Sequence, residues 1–289
     1  MARFFVPAEN IDPDRGEILI KGTDCHHLKN VLRKKPGDEL SLCGSDGSTY
    51  SCKILSFGRD AAVCEILGVS EGSCEPLVPV VLFQGVPKGD RMELIIQKCV
   101  ELGVSSIVPV ITEHTVVKLA DARDREHKQN RWQKISAEAA KQSGRNIVPP
   151  VGEVTGFSGI FEAVPEGWLK VIPYENEETL SLKECLRGSL EGAGSQGAAP
   201  RTGNGADSKG AGSEESAALR SGSGGSAEPD GRGPAGIAFI IGPEGGFSEA
   251  EVKAAAANGF IPVTLGKRIL RTETAGIAVL AAIRYELGD

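Results

Sequence analysis

Zinc-ligand spacing is missing from this chain. Its seven cysteines (Cys25, Cys43, Cys52, Cys64, Cys74, Cys99 and Cys185) form no CxxC pair and stand in no cysteine–histidine pattern, so no metal site is expected. They read as reduced, small core residues. No apolar run is long enough to span a bilayer, and Met1-Ala2-Arg3-Phe4-Phe5-Val6-Pro7 lacks the shape of a signal peptide. The expected compartment is therefore the cytoplasm, with no membrane partner. An excess of positive charge is absent too. The formal net charge of −7 argues against unspecific coating of nucleic acid, unless basic residues are segregated locally. Finally, no Walker loop and no GxGxxG after an early strand is present, which removes the phosphate-loop and dinucleotide-binding classes.

What is present fits two domains and a sizeable core, given 289 residues. Residues 1–73 read as a small β-rich domain. Glu17–Ile20, Glu39–Cys43, Tyr50–Leu55 and Ala62–Leu67 are strand candidates, separated by turn signals such as Gly44-Ser45-Asp46-Gly47, and the spacing suggests a small barrel. Between the first two strands, Asp24 to Lys35 reads as a helix. His26 and His27 stand near its start, and it ends on a basic cluster, Lys29, Arg33, Lys34 and Lys35. The paired histidines have no carboxylate or cysteine partner spaced with them and read as packing or surface residues. The basic cluster, like the basic stretch from Arg123 to Arg145, reads by itself first as a solvated helix face and second as a set of phosphate contacts.

From residue 74 the pattern changes to strand–helix–strand. Val78–Phe83 reads as a buried strand, Asp90–Leu102 as a helix with Asp90 at its N-cap, and Ser106–Ile111 as the next strand. Such a unit implies a mostly parallel sheet. Lys88 and Arg91 flank the loop after the first strand, on the side where ligands bind in such sheets. Ala122–Ser143 reads as a helix with Trp132, Ile135, Ala139 and Ala140 in its apolar stripe, and Leu169–Glu175 as a further strand and loop. From residue 187 to 236 the chain turns Gly-, Ser- and Ala-rich with almost no large apolar residue, and is expected to be a disordered insert.

The stretch after the insert organises the rest. Gly236–Ile241 is a strand that runs into Gly242-Pro243-Glu244-Gly245-Gly246, and a helix starts at Ser248, with Glu251 three places on completing a capping box. Phe260–Leu265 is a second strand that runs into Gly266-Lys267-Arg268-Ile269-Leu270-Arg271. Thr272 then reads as the cap of a final helix, Thr272–Leu287. Two glycine turns at the C-terminal ends of neighbouring strands make a crevice for a small ligand, and the same spacing also suits a purely structural pair of turns.

IGPEGGFSEAEV followed by LGKRILRTETA resembles the cofactor loops of the SPOUT class of S-adenosylmethionine-dependent RNA methyltransferases. It is most similar to the RsmE family, which methylates N3 of a uridine in small-subunit (16S) ribosomal RNA, uridine 1498 in that family. The HHLKNVLR stretch matches the family's PUA-like RNA-binding barrel, and QSGRN resembles an element that faces its substrate cleft. The resemblance implies an α/β, SPOUT-type sheet with a C-terminal trefoil knot, preceded by a PUA-like barrel over 1–73, with the methyltransferase domain over 74–289 interrupted by the insert. S-adenosyl-L-methionine would be the cofactor, held by Pro173, Gly242, Pro243, Glu244, Gly245, Gly246, Leu265, Gly266, Ile269 and Leu270. Arg271 and Glu273 would be the catalytic anion stabiliser and base, and RNA would meet Lys29, Arg33, Lys34, Lys35, Lys88, Arg91 and Arg145. The implied partners are 16S rRNA or the small ribosomal subunit, and a second copy of the chain packed through the small-residue helix Ala275, Gly276, Ala278, Ala281, Ala282. The sequence departs from the pattern at Thr112-Glu113-His114-Thr115, where arginine is expected in place of His114. Three alternatives stay open: a SPOUT methyltransferase of another RNA site, one of a ribose 2′-oxygen, and a non-catalytic RNA-binding or ribosome-assembly factor. On the residues alone, Glu273 also suits the negative charge favoured in a helix's first turn, and Arg271 a structural bridge to Glu244.

Overall fold

The structure is a computed structural model that describes residues 4–71, 74–117, 121–192 and 234–288. Two six-stranded sheets carry it. The first joins β1 (Phe4–Val6), β2 (Ile11–Asp12), β3 (Glu17–Lys21), β4 (Glu39–Gly44), β5 (Ser48–Phe57) and β6 (Ala61–Glu71) in the order β1-β4-β5-β6-β3-β2. Apart from the parallel β1–β4 pair it is antiparallel. Alternating apolar residues of β1 and β3 to β6 meet in one buried cluster with Cys25 and Leu28, so the sheet curls around its own core. Register shifts in β5 at Ser51/Cys52 and Ile54/Ser56 supply the bend.

The expected helix Asp24–Lys35 is shorter and less regular. An α-turn, α1 (Gly22–His26), passes into a single π-helical turn over His27–Val31, with Leu32 N–H bonded to His27 O. Arg33 then takes a left-handed φ of 52°. Pro36 follows shortly, and the backbone has turned out of the helix before reaching it.

The second sheet contains β7 (Val80–Gly85), β8 (Ser106–Ile111), β9 (Thr155–Gly156), β10 (Leu169–Pro173), β11 (Ile237–Ile241) and β12 (Ile261–Val263) in the order β12-β10-β11-β7-β8-β9, every pair parallel. Strand β11 is buried along its whole length. Ile237, Phe239 and Ile241 join the larger core, while Ala238 and Ile240 join the smaller one. A continuous apolar run is what a central parallel strand with both faces covered requires. The larger core packs against α2 (Arg91–Glu101), α3 (Ala122–Ser143), α5 (Leu182–Gly192) and α7 (Thr272–Leu287), the smaller against α4 (Gly159–Ala163) and α6 (Glu249–Ala257). Each fully buried Leu, Ile or Phe here contributes about 1.5–3 kcal/mol. Among the described residues no helix is long and apolar enough to cross a membrane.

Helix ends follow local chemistry. Asp121 caps α3 by accepting from Asp124 N–H at 2.7 Å, and Gly144 closes it at φ 77°. Ser248 and Glu251 form the reciprocal capping box of α6. Asp90 stands at the N-cap of α2, but its side chain makes no capping bond. Helix α7 departs from expectation: Arg271 is its N-cap residue and Thr272 its first helical residue. The 187–236 insert is also drawn differently at its start, because α5 continues to Gly192. Residues 193–233, most of the expected insert, lie outside the described residues.

Candidate active site

Strands β10, β11 and β12 end side by side, and the loops that leave them enclose a cavity of about 930 Å³. That volume lies in the range of roughly 300–1,000 Å³ usual for small-molecule sites. Pro173, Gly242, Pro243, Glu244, Gly246, Leu265, Gly266, Ile269 and Leu270 all line it, and so do Arg271 and Glu273. Gly245 does not. It turns the other way, with its carbonyl oxygen 2.8 Å from His114 Nδ1. A carbonyl only accepts, so that nitrogen carries the proton. The unexpected histidine therefore braces the second loop from behind. Beside it, Glu113 N–H donates to Glu251 Oε1 at 2.8 Å, fixing the loop after β8 that carries His114 to α6.

The second loop is packed down onto β7. A Cβ on Gly85 would stand 2.6 Å from Pro243 Cδ and 2.7 Å from Pro243 N, so only glycine permits this approach. Behind the cavity wall, the fully buried Gln84 donates through Nε2 to Gly85 O and to Thr272 Oγ1, both at 2.9 Å. Thr272 in turn donates to Gly242 O at 2.6 Å.

Arg91 is in the cavity wall, against Glu244 and with Nε 3.7 Å from Glu273 Oε2. It takes the place that the sequence suggested for Arg271 in pairing with Glu244; Arg271 is exposed at the start of α7. Partial burial works against charge on Glu244. Its own and the Lys88 backbone N–H groups, with the Arg91 guanidinium, outweigh this and hold it below the usual carboxylate range. The Lys88 side chain is exposed and outside the cavity lining.

Arg145 is a correction. It does not face a cleft: its side chain is 5% exposed and all its contacts are internal. Nε and Nη2 hold the Glu75 carboxylate, while Nη1 donates to Val104 O at 2.6 Å and Val100 O at 3.3 Å. Glu75 also accepts from Asn146 and Ile147 N–H groups. Asn146 donates to Gly47 O and Thr49 Oγ1, both at 3.1 Å, and so ties this knot of bonds to the first sheet. With four of its five N–H groups bonded internally and its side chain buried, this guanidinium presents no open face to a phosphate.

Lys29, Arg33 and Lys35 are exposed on the first unit and Lys34 is half-buried, its Nζ donating to Glu39 O at 3.1 Å. Lys29 lies 6.0 Å above the Phe57 ring and borders a small depression of about 160 Å³ with His26, Asn30, Arg59 and Asp60. His27 meets the Phe4 ring edge-on, and no group of metal-ligating side chains occurs among the described residues.

Sequence reasoning places a strand and loop over Leu169–Glu175 but singles out only Pro173 there as a cofactor residue; Tyr174, Glu175, Glu177 and Glu178 also line the cavity. It also missed Gln84. Its signal was available: a lone amide at the end of an otherwise apolar buried strand.

The comparisons with known proteins accord with this geometry. A family model described as an RNA methyltransferase domain matches residues 73–196 and 215–284, and one described as an RNA methyltransferase PUA domain matches residues 20–67. The ribosomal RNA small subunit methyltransferase E of Bacillus subtilis (strain 168) is 33% identical over 290 residues, covering 99% of this chain and 97% of that protein. The chain belongs to the RsmE family. A second RsmE relative, from Synechocystis sp., is 33% identical over 92% of this chain and 72% of that protein. Among solved structures, the Neisseria gonorrhoeae RsmE bound to S-adenosyl methionine is 31% identical with a TM-score of 0.70, covering 99% of this chain and 97% of that one. The Legionella pneumophila putative methyltransferase Lpg2936, in complex with the cofactor SAM, is 27% identical with a TM-score of 0.71, covering 98% and 97%. The fold is thus the RsmE one, a PUA-like unit and a parallel α/β sheet.

Proposed function

We propose that the chain transfers a methyl group from S-adenosylmethionine to N3 of a uridine in small-subunit ribosomal RNA. One observation carries the proposal: three loops from β10, β11 and β12 close on one cavity that has a carboxylate, Glu273, and two guanidinium groups, Arg91 and Arg271, in its wall. The cavity suits the cofactor. Its glycine main chain lets a flat adenine approach closely, Leu265, Ile269 and Leu270 offer apolar surface, and its acidic side chains suit a cation. When bound, S-adenosylmethionine supplies a methyl group made electrophilic by its positive sulfur.

The chain's own residues then have a simple task. Uridine N3 carries an imide proton that must leave before the nitrogen lone pair can attack. Glu273 accepts it, oriented by Arg91, and Arg271 stabilises the negative charge that develops on the base. Residues 1–73 form the RNA-binding barrel, whose Lys29, Arg33, Lys34 and Lys35 contact phosphates together with Lys88, and residues 74–289 form the catalytic unit. We read the loops as threaded in a trefoil knot. The active form is a homodimer through α7: Ala275 and Gly276 are packed inward, while Thr274, Ala278, Ala281 and Tyr285 leave an exposed stripe along one helical face. The cytoplasm is its place of work.

The test is transfer of labelled methyl to small ribosomal subunits lacking the modification, read by nucleoside mass spectrometry. Label in 3-methyluridine is the expected result. Label on a ribose would overturn the chemistry, and no incorporation by folded protein would overturn the enzyme reading.

A further inference from the structure

The cavity wall carries five carboxylates, and their environments differ. Glu244 and Glu273 share Arg91, and Lys88 N–H also serves Glu244. Glu177 is held in its own turn, accepting from Thr179 N–H at 2.8 Å and Leu180 N–H at 3.1 Å. Glu178, like Glu175, is an exposed member of the wall. Glu175 has no hydrogen-bond or ion-pair partner among the described residues, yet it is set against the second loop. A Cβ on Gly246 would stand 3.5 and 3.7 Å from its two carboxylate oxygens, and Gly246 has a left-handed φ of 66°. Glu175, although exposed, thus lies against the second loop in the cavity wall with no partner for its charge among the described residues. Gly246 N–H is already bonded to Pro243 O at 3.0 Å and does not neutralise it. Lys267 and Arg268 share the wall but form no ion pair with it.

An unpaired negative charge in a site that a ligand will fill acts as a filter on ligand charge, because filling the cavity removes water from between the two charges. We propose that Glu175 is a specificity-determining residue that favours the cationic sulfonium of S-adenosylmethionine over the neutral thioether of S-adenosylhomocysteine. The inference rests on the cofactor reading above. It gives the cavity a means of releasing its product: once the methyl group has left, the sulfur is neutral and the attraction to Glu175 is gone. No acidic residue need move.

Titration calorimetry with S-adenosylmethionine and with S-adenosylhomocysteine, on the wild-type chain, Glu175→Gln and Glu166→Gln, tests this without any turnover. Glu175→Gln is expected to weaken S-adenosylmethionine about tenfold at low salt and to leave S-adenosylhomocysteine within about twofold. The wild-type preference for the cation should shrink as salt is raised. Glu166→Gln, at an exposed carboxylate outside the cavity lining, should leave the ratio of affinities unchanged. Equal weakening of both ligands by Glu175→Gln, or the same ratio change from Glu166→Gln, would overturn the role of Glu175 while sparing the cofactor reading. Failure of folded wild-type protein to bind either ligand would overturn both.

Discussion

Thr272 Oγ1 donates to the carbonyl oxygen of Gly242 at 2.6 Å and accepts from Gln84 Nε2 at 2.9 Å. One hydroxyl thereby joins the end of β7, the second loop and the first turn of α7. Replacing it by an isosteric methyl leaves the Gly242 carbonyl and one buried amide proton of Gln84 without partners. Thr272→Val should cost about 1–3 kcal/mol of unfolding free energy, measured by urea denaturation. Thr272→Ser keeps the hydroxyl and should recover most of it.

Glu273 is positioned by Arg91 and is the carboxylate assigned to proton removal. Glu273→Gln should lower kcat by roughly 10²–10⁴-fold with S-adenosylmethionine affinity retained. Single-turnover kinetics beside calorimetry separate the two effects. Near-normal turnover with intact cofactor binding would remove Glu273 from that role.

The buried Arg145 and the half-buried Glu75 form an ion pair, and removing the guanidinium strands a carboxylate largely out of water. Arg145→Met should destabilise the fold by about 3–5 kcal/mol, whereas the RNA affinity of the folded variant at low temperature should match wild type. A strong loss of RNA affinity from a variant shown to be folded would restore Arg145 as a contact residue.

The same carboxylate makes stability depend on pH. Burial of Glu75 pushes its pKa up, but the Arg145 guanidinium and the Ile147 and Asn146 N–H groups together bring it below its ordinary value of 4.5. A depressed folded-state pKa means that the unfolded chain takes up the proton first as acid is added. The contribution is therefore complete above pH 4.5 and is lost as pH falls through the lower folded value. Urea midpoints of wild type and Glu75→Gln across this range should converge toward acid pH.

Cysteine reactivity should follow burial. Desolvation pushes the Cys52 thiol up to about 11 and those of Cys64 and Cys99 up to about 12, while Cys74 is exposed. Iodoacetamide at neutral pH should alkylate Cys74 first, with the six buried thiols protected until denaturant is added. Peptide mass spectrometry reads the order.

Much of this was legible in the sequence where the signal is local. The boundaries of β8 and α3 and the capping box of α6 follow from period, cap and glycine stop, and most of the cavity lining follows from two glycine turns after two strands. What escaped depends on partners distant in the chain. Nothing around Arg145 tells that Glu75 faces it, nor that His114 reaches Gly245. Helix α5 escaped for another reason. Ser181 and Glu184 cap each other reciprocally and Leu182, Cys185 and Leu186 are buried on one face, but the glycine-rich composition that begins inside the helix obscured this pattern.

The position of β11 has a consequence for synthesis. It is an inner strand, flanked by β10 and β7, yet it lies beyond the residue 193–233 segment, and its Ile237 pairs with Val80 near the start of the sheet. While the chain is emerging from a ribosome, β7 and β8 are made first and β7 waits with an unpaired apolar edge. Such an edge invites pairing with other chains until its partner is translated. The sheet closes late, through contacts of long sequence separation, which is the slow kind of folding. Lengthening the 193–233 segment would extend that wait, and its length is therefore a setting on the time the nascent chain spends at risk.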